Sequence, residues 1–230
     1  MKGIAYGVGV GPGDPELMTL KACRLIRENR VIAVPGQDPM KAVAYKIAVQ
    51  AVPELAGKEL IAIDMPMVMD RKKQAEAHRR GAEQIADYLA KGENVVYLTL
   101  GDSTVYCTFT YLQHILEEEG YQTELVNGIP SFCAAAARLN IPLVEWNEQL
   151  HVVPVAHKTD VKLDQPGQYV LMKSASHMKE IKERLKESGR DVQVVENCSM
   201  QDEKIYRSVD EIPDDAGYFS LILAKEKKEV

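Results

Sequence analysis

Short apolar runs alternate with amphipathic segments through the first 140 residues of the chain. Residues 4–10, 31–34 and 95–100 are apolar runs of the length that is typical of buried strands. The same patterning predicts strands at 59–64 and 123–126 and helices at 39–51, 72–91, 106–119 and 131–138. Strands that alternate with helices predict a mostly parallel sheet with helices on both faces.

The pattern changes after Pro142, where residues 143–150 are irregular and polar. Beyond them one helix is predicted, at roughly 175–188, among strands at 152–155, 169–172, 192–195, 204–209 and 218–224. We therefore predict an α/β protein of two domains, residues 1–143 and 150–230, joined by a linker at 144–149. The second domain is expected to contain a mixed sheet because most of its strands follow one another without a helix.

Composition narrows the class of protein. The chain has 230 residues, of which 46% are hydrophobic, and a formal charge of −6, which argues against a nucleic-acid partner. Its four cysteines are far apart and form no C-x-x-C pair, so we expect neither a metal site nor a disulfide framework, but reduced thiols in the cytoplasm. No signal peptide or membrane-spanning segment is expected.

Two turns rich in glycine and acid carry the candidate chemistry: the first glycine turn, residues 9–15, and the second glycine turn, residues 100–106. Each follows an apolar strand, a position where free backbone N–H groups favour electron-rich or anionic ligand groups. Neither turn is a phosphate loop, and the dinucleotide fingerprint fails because its last position holds Pro12 or Asp14. The pattern predicts a site for another small cofactor, the alternative being plain strand-to-helix connections in which Asp102 only caps a helix.

Four motifs resemble those of one family, the tetrapyrrole methylases. Residues 8–22 (VGVGPGDPELMTLKA) resemble the opening of that family. The motifs Leu-Gly-Asp at 100–102, Asn-Gly-Ile-Pro-Ser-Phe at 127–132 and Glu-Asn-Cys at 196–198 resemble its later motifs in the same order. The resemblance covers essentially the whole chain and implies two α/β domains, S-adenosylmethionine held in the cleft, and a homodimer.

The resemblance also implies which residues contact the cofactor. By position they are Pro12 in the first glycine turn, Leu100, Gly101, Asp102 and Val105 in the second, Pro130 and Ser131 in the next motif, and Met172 and Cys198 in the second domain. The Asp102 carboxylate is expected to accept hydrogen bonds from ribose hydroxyls or from the ammonium group of the cofactor. Met172, taken alone, is more typical of an ordinary core residue than of a cofactor contact.

Within the family, residues 102–106 and 128–136 most resemble the precorrin-2 C20-methyltransferases of cobalamin biosynthesis. Pro35 stands where uroporphyrinogen-III methyltransferases carry an aspartate, and the usual Gly-Asp-Pro is Gly-Asp-Ser at 101–103. The resemblance therefore implies methyl transfer from S-adenosylmethionine to C20 of precorrin-2 or of its cobalt-containing form, with S-adenosylhomocysteine as product. Other ring positions, a protein or RNA substrate, and a non-catalytic ligand-binding module are the alternatives.

A carbon nucleophile that accepts a methyl group must afterwards lose a proton. Tyr106 lies one turn beyond Asp102 and is the predicted acceptor of that proton. The equally typical alternative is that Tyr106 is an ordinary amphipathic residue at the start of a helix. The carboxylates of a tetrapyrrole are expected to bind basic side chains. The candidates are Arg71, Lys72, Lys73, Arg79 and Arg80, with Lys158 or Lys173 opposite them, the alternative being a solvated helix face.

Overall fold

The computed structural model describes residues 1–66, 68, 70–155 and 161–227. Spatial contacts between residues divide the chain into two compact units, Met1–Pro130 and Ser131–Val230. Among the described residues no helix is long and apolar enough to cross a lipid bilayer. Lys158, one of the candidate basic residues, lies outside the described residues.

The first unit is a parallel sheet covered by four helices. Its strands are β1 (Ile4–Gly9), β2 (Val31–Pro35), β3 (Glu59–Ile63), β4 (Val95–Thr99) and β5 (Gln122–Val126). Its helices are α1 (Leu20–Glu28), α2 (Val43–Ala51), α3 (Arg71–Leu89) and α4 (Phe109–Glu118). The strands pair in the order β3-β2-β4-β1-β5, and every pair is parallel. The predicted parallel sheet is confirmed.

Both faces of the central strands β2 and β4 are buried, which explains their uninterrupted apolar sequences. Successive side chains of a strand point to opposite faces, so Tyr97 and Leu98 of β4 enter different core clusters. Leu98 packs with apolar residues of α1 and α2, such as Ile26 and Ile47. Tyr97 packs with residues of α3 and α4, such as Leu112.

Helix α4 begins three residues later than the sequence pattern predicts. Tyr106 has a φ of 49°, in the left-handed region, so the backbone there does not belong to a right-handed helix. Phe109, the first residue of α4, is fully buried and lies against Tyr97, with ring centroids 5.3 Å apart. The prediction of a helix from residue 106 was wrong at its start, because the left-handed backbone at Tyr106 cannot belong to a right-handed helix.

The second unit contains a mixed sheet, as predicted. Its elements are α5 (Ser131–Arg138), β6 (Leu150–Pro154), β7 (Gln168–Met172), α6 (Met178–Ser188), β8 (Asp191–Glu196), β9 (Lys204–Tyr206) and β10 (Ser220–Lys225). The strand order is β6-β7-β10-β8-β9; β6 and β7 are parallel, and the other pairs are antiparallel. Helix α5 packs against β10 and so groups with this unit. The division predicted from the sequence places residues 131–143 in the first domain and 144–149 in a linker, whereas contacts group all of them with the second unit.

Candidate functional site

The two glycine turns lie side by side at the carboxyl edge of the first sheet. They follow β1 and β4, which are adjacent parallel strands. The chain leaves β1 for α1 on one face and leaves β4 for α4 on the other face. Adjacent strands whose connections diverge in this way form a topological switch point, where open α/β sheets bind ligands.

Backbone hydrogen bonds join the two turns directly. The Gly11 N–H donates to the Gly101 carbonyl at 3.1 Å, and the Gly101 N–H donates to the Gly11 carbonyl at 2.8 Å. Both residues adopt the left-handed region, with φ of 77° and 73°, which glycine does without steric cost. The two turns are therefore one backbone unit, whose geometry depends on glycine at both positions.

A third segment, Asn127–Pro130, packs against the same place. A Cβ atom built on Gly128 would lie 2.1 Å from the carbonyl oxygen of Gly101. A Cβ atom on Gly9 would lie 2.6 Å from that same oxygen and 2.7 Å from the Gly128 nitrogen. Three main-chain segments thus approach more closely than any side chain at Gly9 or Gly128 would allow.

Asp102 holds this arrangement together, because both oxygens of its carboxylate accept hydrogen bonds. Its side chain is buried, with 5% of its surface exposed. One oxygen accepts hydrogen bonds from the backbone N–H of Thr104, at 2.7 Å, and from the Thr104 hydroxyl. The other oxygen accepts from the Asn127 side-chain amide at 3.2 Å and from the Gly128 N–H at 3.0 Å. The carboxylate therefore ties the second glycine turn to the segment 127–130.

The charge of Asp102 follows from these partners. Burial opposes ionisation, but the hydrogen bonds from Thr104, Asn127 and Gly128 outweigh it, so the pKa of Asp102 is lowered. The sequence suggested that this carboxylate receives donors from a ligand. In the structure it accepts four hydrogen bonds from the protein, so it also positions the turns, and its contact with a ligand stays a prediction.

Ser103 and Thr19 add further ties that sequence reasoning missed. The Ser103 side chain is completely buried, and its hydroxyl donates to the Val126 carbonyl at the end of β5, at 2.9 Å. The Thr19 hydroxyl donates to the Asn127 carbonyl at 3.3 Å and also accepts from the N–H of Ala22 at the start of α1. The change from Gly-Asp-Pro to Gly-Asp-Ser therefore exchanges a proline constraint for a hydrogen bond.

The remaining predicted residues of the first unit surround these turns. Pro12 is buried in the first glycine turn, and Leu100 and Val105 are partly exposed apolar residues of the second. Pro130 is partly exposed at the end of the third segment. Tyr106 is 46% exposed at the point where the loop turns toward α4. The carboxyl edge therefore presents apolar side chains beside polar main chain.

In the second unit, Met172 and Cys198 come to one edge of the mixed sheet. Met172 ends β7 opposite Leu221 of β10, and Glu196 ends β8 opposite Ser220 of the same strand. Cys198 follows two residues later and is buried, which raises the pKa of its thiol. A neutral thiol is a weak nucleophile, so this side chain suits packing against a ligand. Ser131, the other predicted residue of this unit, is the first residue of α5.

The candidate basic side chains of α3 lie in different surroundings at its start and farther along it. Arg71, Lys72 and Lys73 are exposed in the first turn of α3, which begins at the carboxyl edge of the first sheet. Arg80 lies farther along α3 in a groove of about 380 Å³ that is also lined by Asp64, Glu83 and Asp87. This acidic lining does not favour a bound carboxylate at Arg80. Within the described ranges, no group of three metal-ligating side chains is placed to hold a metal ion.

Comparison with known proteins adds independent information. Residues 5–212 match the family model described as tetrapyrrole (corrin/porphyrin) methylases. The probable cobalt-precorrin-2 C(20)-methyltransferase of Methanocaldococcus jannaschii is 35% identical over 231 residues, which cover 97% of this chain and 96% of that protein. The cobalt-precorrin-2 C(20)-methyltransferase of Salmonella typhimurium is 28% identical over an alignment of 239 residues, which covers 100% of this chain and 99% of that protein.

A solved structure shares the fold. The uroporphyrin-III C-methyltransferase of Thermus thermophilus, solved in complex with S-adenyl homocysteine, superposes with a TM-score of 0.71 at 24% identity. The alignment covers 97% of this chain and 98% of that chain. The likeness extends over both units, each of which therefore has a counterpart of known fold.

Replacement of Asp102 tests the positioning role of its carboxylate. Asp102→Asn retains the shape but turns an amide NH₂ toward one pair of donors, so we expect a loss of about 2 kcal/mol in the free energy of unfolding at neutral pH. The lowered folded-state pKa means that the stabilisation is complete above the ordinary carboxyl pKa and is lost as pH falls through the folded-state value. The difference from the wild type should therefore shrink below about pH 4.

Urea unfolding followed by far-UV circular dichroism, at neutral pH and in steps down to about pH 3, measures this difference. The control is Asp87→Asn on the exposed face of α3, which should change the free energy by less than about 0.5 kcal/mol. A difference for Asp102→Asn that does not vary with pH would contradict the assignment.

Proposed function

The chain belongs to the tetrapyrrole methylases, as its four ordered motifs predicted, and on that premise we propose that it transfers a methyl group from S-adenosylmethionine to C20 of precorrin-2 or of its cobalt-containing form. The full-length similarity to C20-methyltransferases of two organisms supports this choice of ring position. The single structural observation that carries the proposal is the pair of hydrogen-bonded glycine turns at the switch point of the first sheet.

The residues at this edge fit such a cofactor chemically. S-adenosylmethionine has an apolar adenine face and several polar groups, and it supplies an already activated methyl group on a sulfonium. In the first unit the proposed contacts are Pro12, Leu100, Gly101, Val105 and Pro130, which combine apolar side chains with the close main chain of a glycine. In the second unit the proposed contacts are Ser131, Met172 and Cys198. Asp102 is proposed to hold the turns in place and to contact the cofactor.

Orientation is the main contribution expected from the protein. The methyl donor needs no covalent nucleophile from the chain, and alignment of two reactants can contribute effective molarities of about 10⁵–10⁸ M. A rigid edge serves this purpose because the glycine turns are joined through main-chain atoms. The carboxylates of the substrate are proposed to bind Arg71, Lys72 and Lys73, where arginine offers a two-pronged donor.

The oligomeric state and the cellular location complete the proposal. We propose a homodimer, as the family resemblance implies, and a cytoplasmic location, which the absence of cysteine pairing patterns in the sequence favours. Light scattering of the purified protein tests the first feature. The acidic balance of the chain favours a small-molecule substrate over RNA.

A direct assay tests the reaction. The purified protein is incubated with S-adenosylmethionine carrying a ¹³C-methyl group and with precorrin-2, in its cobalt-free and cobalt-containing forms. We expect one added methyl group by mass spectrometry and a ¹³C signal assigned to C20 by NMR. A methyl group at another ring carbon would refute the proposed position, and cofactor binding without transfer to either ring would favour the non-catalytic alternative.

A matched pair of glycine variants tests whether the two glycine turns form part of the cofactor site. Gly128→Ala places a Cβ against the Gly101 carbonyl, so the turns must separate, and we expect binding of S-adenosylhomocysteine to weaken by at least about tenfold. Gly57→Ala is the control, because a Cβ there meets no atom within 4 Å. Calorimetric titration measures both affinities. Equal affinities in the two variants would remove these turns from the cofactor site.

Tyr106 is the proposed proton acceptor after methyl transfer. Tyr106→Phe removes only the hydroxyl, and we expect kcat to fall by about 100-fold while the affinity for S-adenosylhomocysteine is unchanged. Steady-state kinetics with saturating cofactor measures the change. An unaltered kcat would exclude the hydroxyl from the rate-limiting step and leave Tyr106 as a residue of the loop surface.

A further inference from the structure

An unusual backbone turn follows β8 in the second unit. Asn197 has a φ of 52° and Ser199 a φ of 61°, so two left-handed residues that are not glycine flank Cys198. Such conformations are unfavourable for residues with a Cβ and persist only where the surrounding structure holds them. They concentrate at ligand-binding and catalytic sites. The turn that carries Cys198 is therefore a strained segment that needs an external support.

Two acidic residues provide that support. The Asn197 side-chain amide donates to the Asp202 carboxylate at 2.9 Å. The backbone N–H of Ser199 donates to one oxygen of Glu203 at 2.8 Å. The second contact acts on the main chain itself, immediately after Cys198, so Glu203 constrains the backbone at the strained position.

Glu203 also connects this turn to helix α5. Its other carboxylate oxygen accepts a hydrogen bond from Nε of Arg138, in the last turn of α5, at 2.6 Å. The Glu203 side chain is 13% exposed, whereas that of Arg138 is 54% exposed. A largely buried carboxylate with both oxygens in hydrogen bonds is geometrically well defined. Glu203 thus links the Cys198 turn to the helix that begins at Ser131.

We propose that Glu203, together with Arg138, is a positioning residue for the methyl donor: it holds the strained turn so that Cys198 is presented for contact with the cofactor. The inference rests on the proposed function, because Cys198 and Ser131 are proposed cofactor contacts. It assigns no chemical step to Glu203. The carboxylate acts through the backbone of Ser199 and through α5.

The test compares three variants in one unit of the protein. Glu203→Gln keeps the side-chain shape but offers only one acceptor, so either Ser199 or Arg138 loses its bond. Arg138→Met removes the guanidinium and leaves the carboxylate in place. Glu187→Gln, on the exposed face of α6, is the matched control for loss of one negative charge.

We expect Glu203→Gln to raise the dissociation constant of S-adenosylhomocysteine and the KM for S-adenosylmethionine by about tenfold. The kcat at saturating cofactor should stay within about twofold, because the interaction acts on cofactor placement in ground state and transition state alike. Arg138→Met should move the same two quantities in the same direction. The double variant should lose less than the sum of the single losses, since both act through one link.

A purely structural role predicts another pattern. The far-UV circular dichroism spectrum and thermal midpoint of each variant are measured beside its affinity. Affinities equal to that of the wild type in both Glu203→Gln and Arg138→Met would overturn the inference. A loss of affinity that appears only at temperatures where the variant begins to unfold would overturn it as well. If the wild type itself fails to bind S-adenosylhomocysteine, the proposed function fails first and the inference falls with it.

Discussion

Close approach of three main-chain segments is the constraint on which the candidate site depends. The carbonyl oxygen of Gly101 occupies the space that a Cβ on Gly9 or Gly128 would need. Reciprocal hydrogen bonds with Gly11 then fix the second glycine turn against the first. Because only main-chain atoms make these contacts, the arrangement of this edge does not depend on large side chains.

A buried charge completes this arrangement, and its energetics explain its role. A buried carboxylate is costly unless its oxygens are paired, and those of Asp102 receive four donors from three residues. The acid is therefore an internal tie between turns that are far apart in sequence. It keeps Gly128 and Thr104 in place, and Ser103 reinforces the same connection through its hydrogen bond to the end of β5.

Left-handed backbone positions are accommodated in two ways. Where the two glycine turns of the first unit join, the left-handed positions Gly11 and Gly101 are glycines, so the backbone adopts them without side-chain strain. Tyr106, at the end of the second glycine turn, adopts the left-handed region although it has a Cβ. In the second unit Asn197 and Ser199 adopt the same region although both have a Cβ. The strain there is offset by hydrogen bonds that Asn197 and Ser199 donate to neighbouring carboxylates, which makes that edge dependent on residues outside the recognised motifs.

The sequence by itself determined the order and type of most elements, the parallel and mixed character of the two sheets, and the family, because hydrophobic periodicity and glycine placement express local backbone preferences. Only the tertiary structure decided the partners of Asp102, the start of α4 at Phe109, and the link between Glu203 and Arg138, which lie 65 residues apart. These features depend on which distant segments pack together. Hydrogen bonds between such segments leave no periodic signal in the chain, and neither does the left-handed backbone at Tyr106 that delays the start of α4.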